Sequence, residues 1–298
     1  MAKAKRIDLP QPGSAVELVC LKNSYDAVRG RVPPHGPTVI VRPGHSELLP
    51  VPGEIFTVEV ERSWVFGYTA YAKGTVVGCR LDVDRLELPP LALHPQGTWD
   101  PATAPWLFEE DPSPLYDEIR AAGPRALSEM EQMLPEDAVE LRWEDDPIVE
   151  AVALTDAGAY HEAVDLLGDL LSVDLRCLDA HAHLGNLELR GRIRVDVGQA
   201  ERHYSVGVAL GEQALGVPAL DYPDLLPRGL IDNRPFLRCL HGLGLCRWRR
   251  GDLETAGRIF RRLVWLDPHD GLGARFLVAD VEAGRSWEEA TAAQEAAG

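Results

Sequence analysis

The residues of this chain that could do chemistry are most concentrated between positions 233 and 252, in NRPFLRCLHGLGLCRWRRGD. Cys239 and His241 are residue types that form a nucleophile and its base. Residues two apart on an α-helix point about 200° away from each other, so this thiol and this imidazole cannot meet. Cys239 and Cys246 are seven apart on one helix face, and we expect both to pack in the core.

Signals for a metal or a cofactor are also weak. His181 and His183 are two residues apart, whereas a helical metal pair needs a spacing of three or four. Cys177 and His181 have that spacing, but the sequence offers no further ligand nearby. The five cysteines form no C-x-x-C pair, and no Walker, G-x-G-x-x-G, G-x-S-x-G or H-E-x-x-H motif occurs. We therefore predict a non-enzymatic protein without catalytic residues, metal or cofactor.

Charge constrains the partners of the chain. The 298 residues suffice for two domains, and their net charge is −17. Residues 1–99 carry eleven Lys or Arg against ten acids, whereas residues 100–200 carry seven against twenty-three. An acidic surface repels phosphate backbones, so nucleic acid is an unlikely partner for the whole chain. No segment has the length of apolar sequence that crosses a bilayer, and we predict a cytoplasmic protein that does not bind membranes.

The N-terminal part has the pattern of β-structure. After a flexible start at 1–13, short runs rich in Val, Thr and aromatic residues alternate with Pro and Gly clusters over 14–98. In FTVEVE, apolar and polar residues alternate with the period of a strand that has one buried face. These features predict a small antiparallel β-barrel or sandwich.

A connector is predicted over 99–143. The Pro-rich stretch LPPLALHPQGTWDPATAPWLFEEDPSP, residues 88–114, leads into this connector and favours an irregular segment fixed by Trp99, Trp106 and Phe108. The second part of the connector is acidic, and recurring apolar residues predict two short helices with a solvated face. The whole chain is therefore expected to be an α+β protein, because the sequence after the connector is helical.

The segment 144–298 contains an internal repeat. AGAYHEAVDLLGDLLSVD and RGDLETAGRIFRRLVWLD share a Gly at the turn, Gly158 and Gly251, and an Ala five residues later, Ala163 and Ala256. Each copy ends on an Asp. This arrangement indicates a helix, a tight turn and a second helix, written at least twice.

These residues resemble the tetratricopeptide repeat (TPR), a helical hairpin of 34 residues. The unit at 237–270 fits best, with Leu240, Leu243, Gly244, Ala256, Phe260 and Pro268 in the positions of the pattern. The resemblance implies a TPR-like α-helical solenoid over about 144–177, 178–215, 237–270 and 271–298, with an insertion at 216–236. Small residues such as Gly185 and Gly244 are expected where helices approach closely.

The resemblance also implies a binding groove, which the first helix of each repeat lines. Three or four Arg converging there would favour an acidic tail or a carboxylate. The alternative is that these Arg are paired with the acidic segment 109–150. The groove residues carried over from the family pattern are Asn186, Arg190, Arg238, His241, Leu245, Arg249 and Arg275.

A second candidate surface is the aromatic cluster in RSWVFGYTAY. Trp64, Phe66, Tyr68 and Tyr71 lie between Arg62 and Lys73 and would suit the stacking of single-stranded bases. Burial in the barrel core or against the helical half is the interpretation that we favour, since strand aromatics usually pack against neighbouring elements.

The sequence thus predicts an adaptor that binds a protein or peptide partner through a TPR-like groove. The main alternative is an RNA- or ribosome-associated factor with an oligonucleotide-binding-like β domain. A weaker alternative is an enzyme whose site lies between the two halves.

Overall fold

The protein was analysed as a computed structural model. The structure describes residues 10–24, 26–44, 48–104, 114–134, 146–191 and 195–297. Contacts divide the chain into two units, each made of two segments. The barrel unit comprises Met1–Pro89 and Leu134–Arg176, and the helical unit comprises Pro90–Met133 and Cys177–Gly298. Within the described ranges, no helix has both the length and the apolar character needed to span a bilayer.

Five strands form a closed barrel in the order β1-β2-β3-β5-β4. The barrel predicted from the alternating pattern is therefore confirmed, and its first strand begins one residue after the predicted boundary. The strands are β1 (Ala15–Ser24), β2 (Ala27–Arg31), β3 (Thr38–Pro43), β4 (Ile55–Phe66) and β5 (Thr69–Arg80).

Four of the five strand pairs are antiparallel, whereas β3 and β5 are parallel. The purely antiparallel barrel that we expected is thus wrong in one pair. The reason is geometric: an odd number of strands around a closed ring cannot all alternate in direction. The core of the barrel contains apolar side chains from every strand, among them Leu18, Val28, Val41, Phe56, Val58 and Ala72.

The first helix in sequence, α1 (Pro114–Ala121), belongs to the helical unit. Two α-helices in the described part of the chain belong to the barrel unit. They are α2 (Pro147–Asp156) and α3 (Tyr160–Val173), joined by a turn in which Gly158 has a φ of +78°. The α3 helix packs against β1, where Lys22 Nζ lies 2.7 Å from Asp169 Oδ1. The first predicted repeat is therefore a helical hairpin that packs on the barrel.

A two-stranded sheet replaces part of the predicted connector. Strand β6 (Leu93–Trp99) pairs antiparallel with β7 (Arg125–Met130). The expectation of an irregular segment is wrong for β6, whose Pro95 is tolerated because it lies beside a register shift. Within the acidic segment where two short helices were predicted, Pro114–Ala121 is a helix, whereas Arg125–Met130 is the strand β7. Trp106 and Phe108 lie outside the described residues, as do the first nine residues of the predicted N-terminal segment.

The remaining helices of the helical unit form consecutive hairpins. The helices Leu178–Arg190 and Val197–Leu215 lie within the predicted segment 178–215, whereas the next helix begins at Arg234, inside the predicted insertion at 216–236, which also contains short 3₁₀ turns. The α4 helix packs against both α5 and α6, after which each helix packs against the next as far as α8. The helices are α4 (Leu178–Arg190), α5 (Val197–Leu215), α6 (Arg234–Arg249), α7 (Leu253–Leu266), α8 (Ala274–Glu282) and α9 (Trp287–Ala297).

Glycines let these helices approach closely. A Cβ added to Gly185 or to Gly242 would come within 2.6 or 2.3 Å of the ring of Tyr204, which lies on α5 between them. A Cβ on Gly244 would lie 2.6 Å from Phe260. The predicted close contacts at Gly185 and Gly244 are therefore confirmed, because these rings occupy the space that a side chain would need.

Candidate functional site

The outer face of the barrel gathers cations and aromatic rings. The register of the strands aligns Arg29 with Ile40, Ile40 with Tyr71, and Tyr71 with Trp64. These four side chains therefore form one row across β2, β3, β5 and β4. On β2, β3 and β5 the neighbours of these residues along the strand, such as Val28, are buried in the core, so the row faces outward.

A second row on the same face is cationic. Arg42 is aligned with Lys73, and Lys73 with Arg62. Each lies two residues from a member of the first row on its own strand, and residues two apart share a face. Arg31 on β2 and Phe66 on β4 lie two residues from Arg29 and Trp64, on the side of the first row opposite to the cationic row. We call these nine residues the outer face: Arg29, Arg31, Ile40, Arg42, Arg62, Trp64, Phe66, Tyr71 and Lys73.

The aromatic rings of this region are available to a ligand. Trp64 and Tyr71 stack with their ring centroids 5.5 Å apart and their planes within 9°. The guanidinium of Arg62 lies 5.5 Å from the centre of the Trp64 ring. At the tip of the β4–β5 hairpin, Phe66 is 76% and Tyr68 97% exposed. The favoured expectation that these aromatics are buried is therefore wrong for Phe66 and Tyr68.

The cations of the outer face are mostly not neutralised. Lys73 forms an exposed ion pair with Glu61 at 3.3 Å. Within the ranges that the structure describes, neither Arg29 nor Arg42 forms an ion pair, and Arg31 Nε and Nη2 have no hydrogen-bond partner. The face therefore carries local positive charge in a protein whose net charge is −17.

Sequence reasoning missed the contribution of β2 and β3 to this face. The signal was present as the alternation in AVRGR and TVIVR, where each Arg is separated by one residue from the next outward position. What the sequence does not contain is the order of the strands. Only that order brings Arg29 and Arg42 beside Tyr71 and Lys73.

The residues predicted to line the TPR-like groove lie on α4, α6 and α8. Asn186 Oδ1 accepts a hydrogen bond from the Tyr204 hydroxyl at 2.7 Å, and Arg190 is exposed at the last residue of α4. His241 lies beside Phe260, with ring centroids 6.1 Å apart, and burial lowers the pKa of His241 to about 4. Leu245 is half-buried.

The groove cations have partners within the helical unit. Arg238 Nη1 lies 2.5 Å from Asp179 Oδ1, and Arg275 Nη1 lies 3.6 Å from Asp270 Oδ2. Arg249 stacks over the ring of Trp287 at 4.2 Å. The acids involved are buried and belong to neighbouring turns of the helical unit, whereas the sequence alternative paired these Arg with the segment 109–150. The cations therefore stabilise packing between helices.

Replacing Arg238 with Gln is expected to lower the free energy of unfolding by about 1–3 kcal/mol. Asp179 is 5% exposed and would lose its guanidinium partner, which leaves the imidazole of His183 3.7 Å from its carboxylate. Because the Arg238 side chain is 34% exposed, the loss of stability should be smaller than that for a fully buried ion pair. Urea titration followed by tryptophan fluorescence measures the loss.

The matched control for Arg238 is a double-mutant cycle with Asp179→Asn. The double variant should lose less stability than the sum of the two single variants, because each single change leaves one polar group without its partner. Strict additivity of the two losses would show that the ion pair contributes nothing.

Cys239 and Cys246 are buried and not reactive. Cys239 Sγ lies 3.4 Å from the carbonyl oxygen of Leu178, and burial raises the pKa of Cys239 well above its usual value. Burial also raises the pKa of Cys246 to about 12. Both thiols therefore stay protonated at neutral pH and cannot act as nucleophiles. Their predicted position in the core is confirmed.

Two buried histidines form a cluster between α4 and α5. The rings of His181 and His203 lie 6.5 Å apart, and burial, with the nearby charges of His181 and Arg202 adding to it, lowers the pKa of His203 to about 3. The His203 ring is thus neutral in the folded protein at neutral pH. Across the described ranges of the chain, no group of three or more His, Cys, Asp or Glu has a geometry that could hold a metal ion.

Comparisons with known proteins leave the chain without an assigned family. No family model, no curated protein and no solved structure matches it. The functional assignment therefore rests on the geometry of the two units.

Proposed function

We propose that the barrel unit binds single-stranded nucleic acid on its outer face. The observation that carries this proposal is the common register of five cations and three aromatic rings across β2, β3, β5 and β4. Five-stranded barrels of the oligonucleotide-binding kind use the face of their second and third strands for this purpose. This was the alternative function in the sequence analysis.

The rings supply the sequence-tolerant part of the interaction. The stacked pair Trp64 and Tyr71 offers one aromatic platform, and Phe66 and Tyr68 extend it at the hairpin tip. Stacking of a base on an aromatic side chain contributes about 1–3 kcal/mol, and every base has a face that can stack. The ligand is therefore a strand with unpaired bases, because paired bases already stack on each other.

The cations supply the part that depends on salt. Arg42, Lys73 and Arg62 lie on one side of the row that holds Trp64 and Tyr71, and Arg31 lies on its other side. The negative net charge of the chain opposes binding at long range, but screening shortens that repulsion to about 8–10 Å at physiological salt. Local contacts on the outer face then decide the affinity.

The test uses the full-length chain and a fluorescein-labelled oligonucleotide of twelve thymidines. We expect binding by fluorescence anisotropy at low salt, with affinity that falls as the salt concentration rises. Replacing Phe66 and Tyr68 with Ala should cost about 1–3 kcal/mol for each ring that stacks. Val77→Ala is the matched control, because Val77 is an exposed apolar residue of β5, 51% accessible, four residues beyond Lys73 and not one of the nine residues of the outer face.

A second pair of variants tests the cations. Arg29→Gln with Arg42→Gln should weaken binding and reduce the slope of log affinity against log salt by about 1.4, at about 0.7 for each phosphate contact on a single strand. Arg258→Gln, an exposed cation of α7 in the helical unit, is the control for net charge. No binding at 20 mM salt, or equal binding by all variants, would overturn the proposal.

Protein recognition by a TPR-like solenoid of helices α4–α9 stays a prediction. The direct packing of α4 on α6 supports it, since first helices of successive repeats stack in that family. The internal partners of Arg238, Arg249 and Arg275 argue against an acidic tail as the ligand of that groove. Neither function requires chemistry on the ligand, and we propose a non-enzymatic role.

A further inference from the structure

The helical unit contains a cavity of about 600 Å³ that neither function uses. It lies among the β6–β7 sheet, the loop before α6 and the turn after α7. Its volume is within the range of about 300–1,000 Å³ that is typical of small-molecule sites. Its apolar wall is formed by Trp99, Leu127, Leu225, Pro227, Leu230 and Pro268.

Backbone hydrogen bonds hold the walls of this cavity in place. Leu225 N donates to the carbonyl of Ala126, and Ser128 N donates to the carbonyl of Leu225, so the loop pairs with β7. Leu226 N donates to the carbonyl of Leu266 at the end of α7. The cavity is therefore formed before a ligand enters, which lowers the entropic cost of binding.

Two guanidinium groups and one carboxylate supply the charge of the lining. Arg234 Nε donates to the carbonyl oxygen of Arg228 at 3.1 Å, which leaves the terminal nitrogens of Arg234 for other partners. In the part of the chain that the structure describes, neither Arg228 nor Arg234 forms an ion pair. Asp267 Oδ2 accepts a hydrogen bond from Gly271 N at 3.0 Å. These two guanidinium groups and the Asp267 carboxylate sum to a charge of about +1, which complements one negative charge.

Two backbone amides at this end of the cavity already have acceptors. Gly271 N is bound to Asp267, and Ala274 N, the first amide of α8, is bound to Asp270 Oδ1 at 2.7 Å. Neither amide is therefore available to a phosphate group, which has up to two charges and three acceptor oxygens. A carboxylate needs only the guanidinium groups, which match its two oxygens.

We propose that this cavity binds a small amphipathic carboxylic acid, with the carboxylate at Arg228 and Arg234 and the apolar chain against Trp99, Leu127 and Leu225. The site is separate from the outer face of the barrel, so its occupation does not depend on nucleic-acid binding. The ligand class follows from the single unbalanced charge and the apolar wall.

The probes are decanoate, decanol and decyl phosphate, titrated into the full-length protein by isothermal calorimetry. Decanoate is expected to bind at least tenfold more tightly than either of the others, because only it presents one negative charge. Arg228→Gln should reduce the affinity for decanoate at least tenfold and leave decanol unchanged, and Arg228→Lys should restore part of the loss. Arg258→Gln, which lies outside the cavity, should bind decanoate like the wild type.

Leu127→Trp provides an independent test, because the larger side chain fills the cavity without removing a charge. It should abolish decanoate binding while thermal unfolding followed by circular dichroism remains cooperative; if this variant does not fold, Arg228→Gln and its Lys counterpart decide the question alone. The proposal is overturned if decanoate does not bind at 1 mM, if decanol or decyl phosphate binds as tightly, or if Arg228→Gln binds decanoate like the wild type.

Discussion

Replacement of Asn233 with Ala is expected to lower the free energy of unfolding of the helical unit by about 3 kcal/mol or more. Asn233 is fully buried at the start of α6 and makes three hydrogen bonds. Its Oδ1 accepts from Met130 N at 2.8 Å, while its Nδ2 donates to the carbonyls of Ser128 and Pro227 at 2.9 and 3.1 Å. Ala would remove the partner of Met130 N and of the Ser128 carbonyl, whereas the Pro227 carbonyl would still accept from Leu230 N at 3.0 Å. Each buried group left unpaired costs about 1–3 kcal/mol.

The same substitution is expected to disturb the cavity. Asn233 connects strand β7 to the loop that carries Pro227, and Pro227 and Leu127 line opposite parts of the cavity wall. Decanoate affinity should therefore fall together with stability. Urea unfolding followed by tryptophan fluorescence reports mainly on the helical unit, which contains four of the five tryptophans that the structure describes.

The matched control for Asn233 is Asn186→Ala. Asn186 is exposed and makes one hydrogen bond, to the hydroxyl of Tyr204. Its replacement should change the free energy of unfolding by no more than about 1 kcal/mol. Equal losses for the two variants would contradict the central role that we assign to Asn233.

Acid is expected to destabilise the helical unit below about pH 6.5 through His203 and His241. Burial lowers the pKa of His203 to about 3 and that of His241 to about 4, whereas an unfolded histidine has a pKa near 6.5. Between those values the unfolded state binds more protons than the folded state, so stability falls as the pH falls. Each histidine contributes about 1.4 kcal/mol for every pH unit within its window. At pH 5 the two together remove about 4 kcal/mol.

The buried carboxyls act in the opposite direction. Burial raises the pKa of Glu188, Glu212 and Asp270. As the pH falls, these groups therefore bind protons in the folded state before they do so in the unfolded state, which offsets part of the loss of stability near their own pKa values. The histidine contribution must therefore be isolated by difference. The variants His203→Leu and His241→Leu remove one titrating ring each.

The measurement is the free energy of unfolding in urea at pH 7.5, 6.0 and 5.0. The difference in free energy of unfolding between wild type and His203→Leu should shift by about 2 kcal/mol in favour of the variant as the pH is lowered from 7.5 to 5.0. His241→Leu should show a change of similar size. Parallel stability curves for wild type and both variants would exclude the buried histidines as the source of acid sensitivity.

Local patterns in the sequence predicted most of the secondary structure. The alternation in FTVEVE predicted a strand, and the glycines at the repeat turns predicted helical hairpins at 144–177 and 237–270. Gly158 and Gly251 do have the positive φ of such turns, +78° and +81°. These predictions succeed because a period of two or of 3.6 residues and a left-handed turn are properties of a few neighbouring residues.

The misassigned segments depended on distant partners. LHPQGTW and RALSEM become strands because they pair with each other across about thirty residues and because Leu127 also pairs with Leu225. We expected two short helices in the acidic segment that contains RALSEM, but tertiary pairing outweighed that weak local preference.

The sequence by itself determined the composition of the chain, the two types of structure and the position of the helical hairpins, because these follow from the order and the period of neighbouring residues. Only the tertiary structure decided which charges are free. It paired Arg238 with Asp179 and Arg275 with Asp270, and among the described residues it left Arg29 and Arg42 without an ion pair on the same face as Tyr71. Ion pairs and strand order join residues that are distant in sequence, so no local pattern records them.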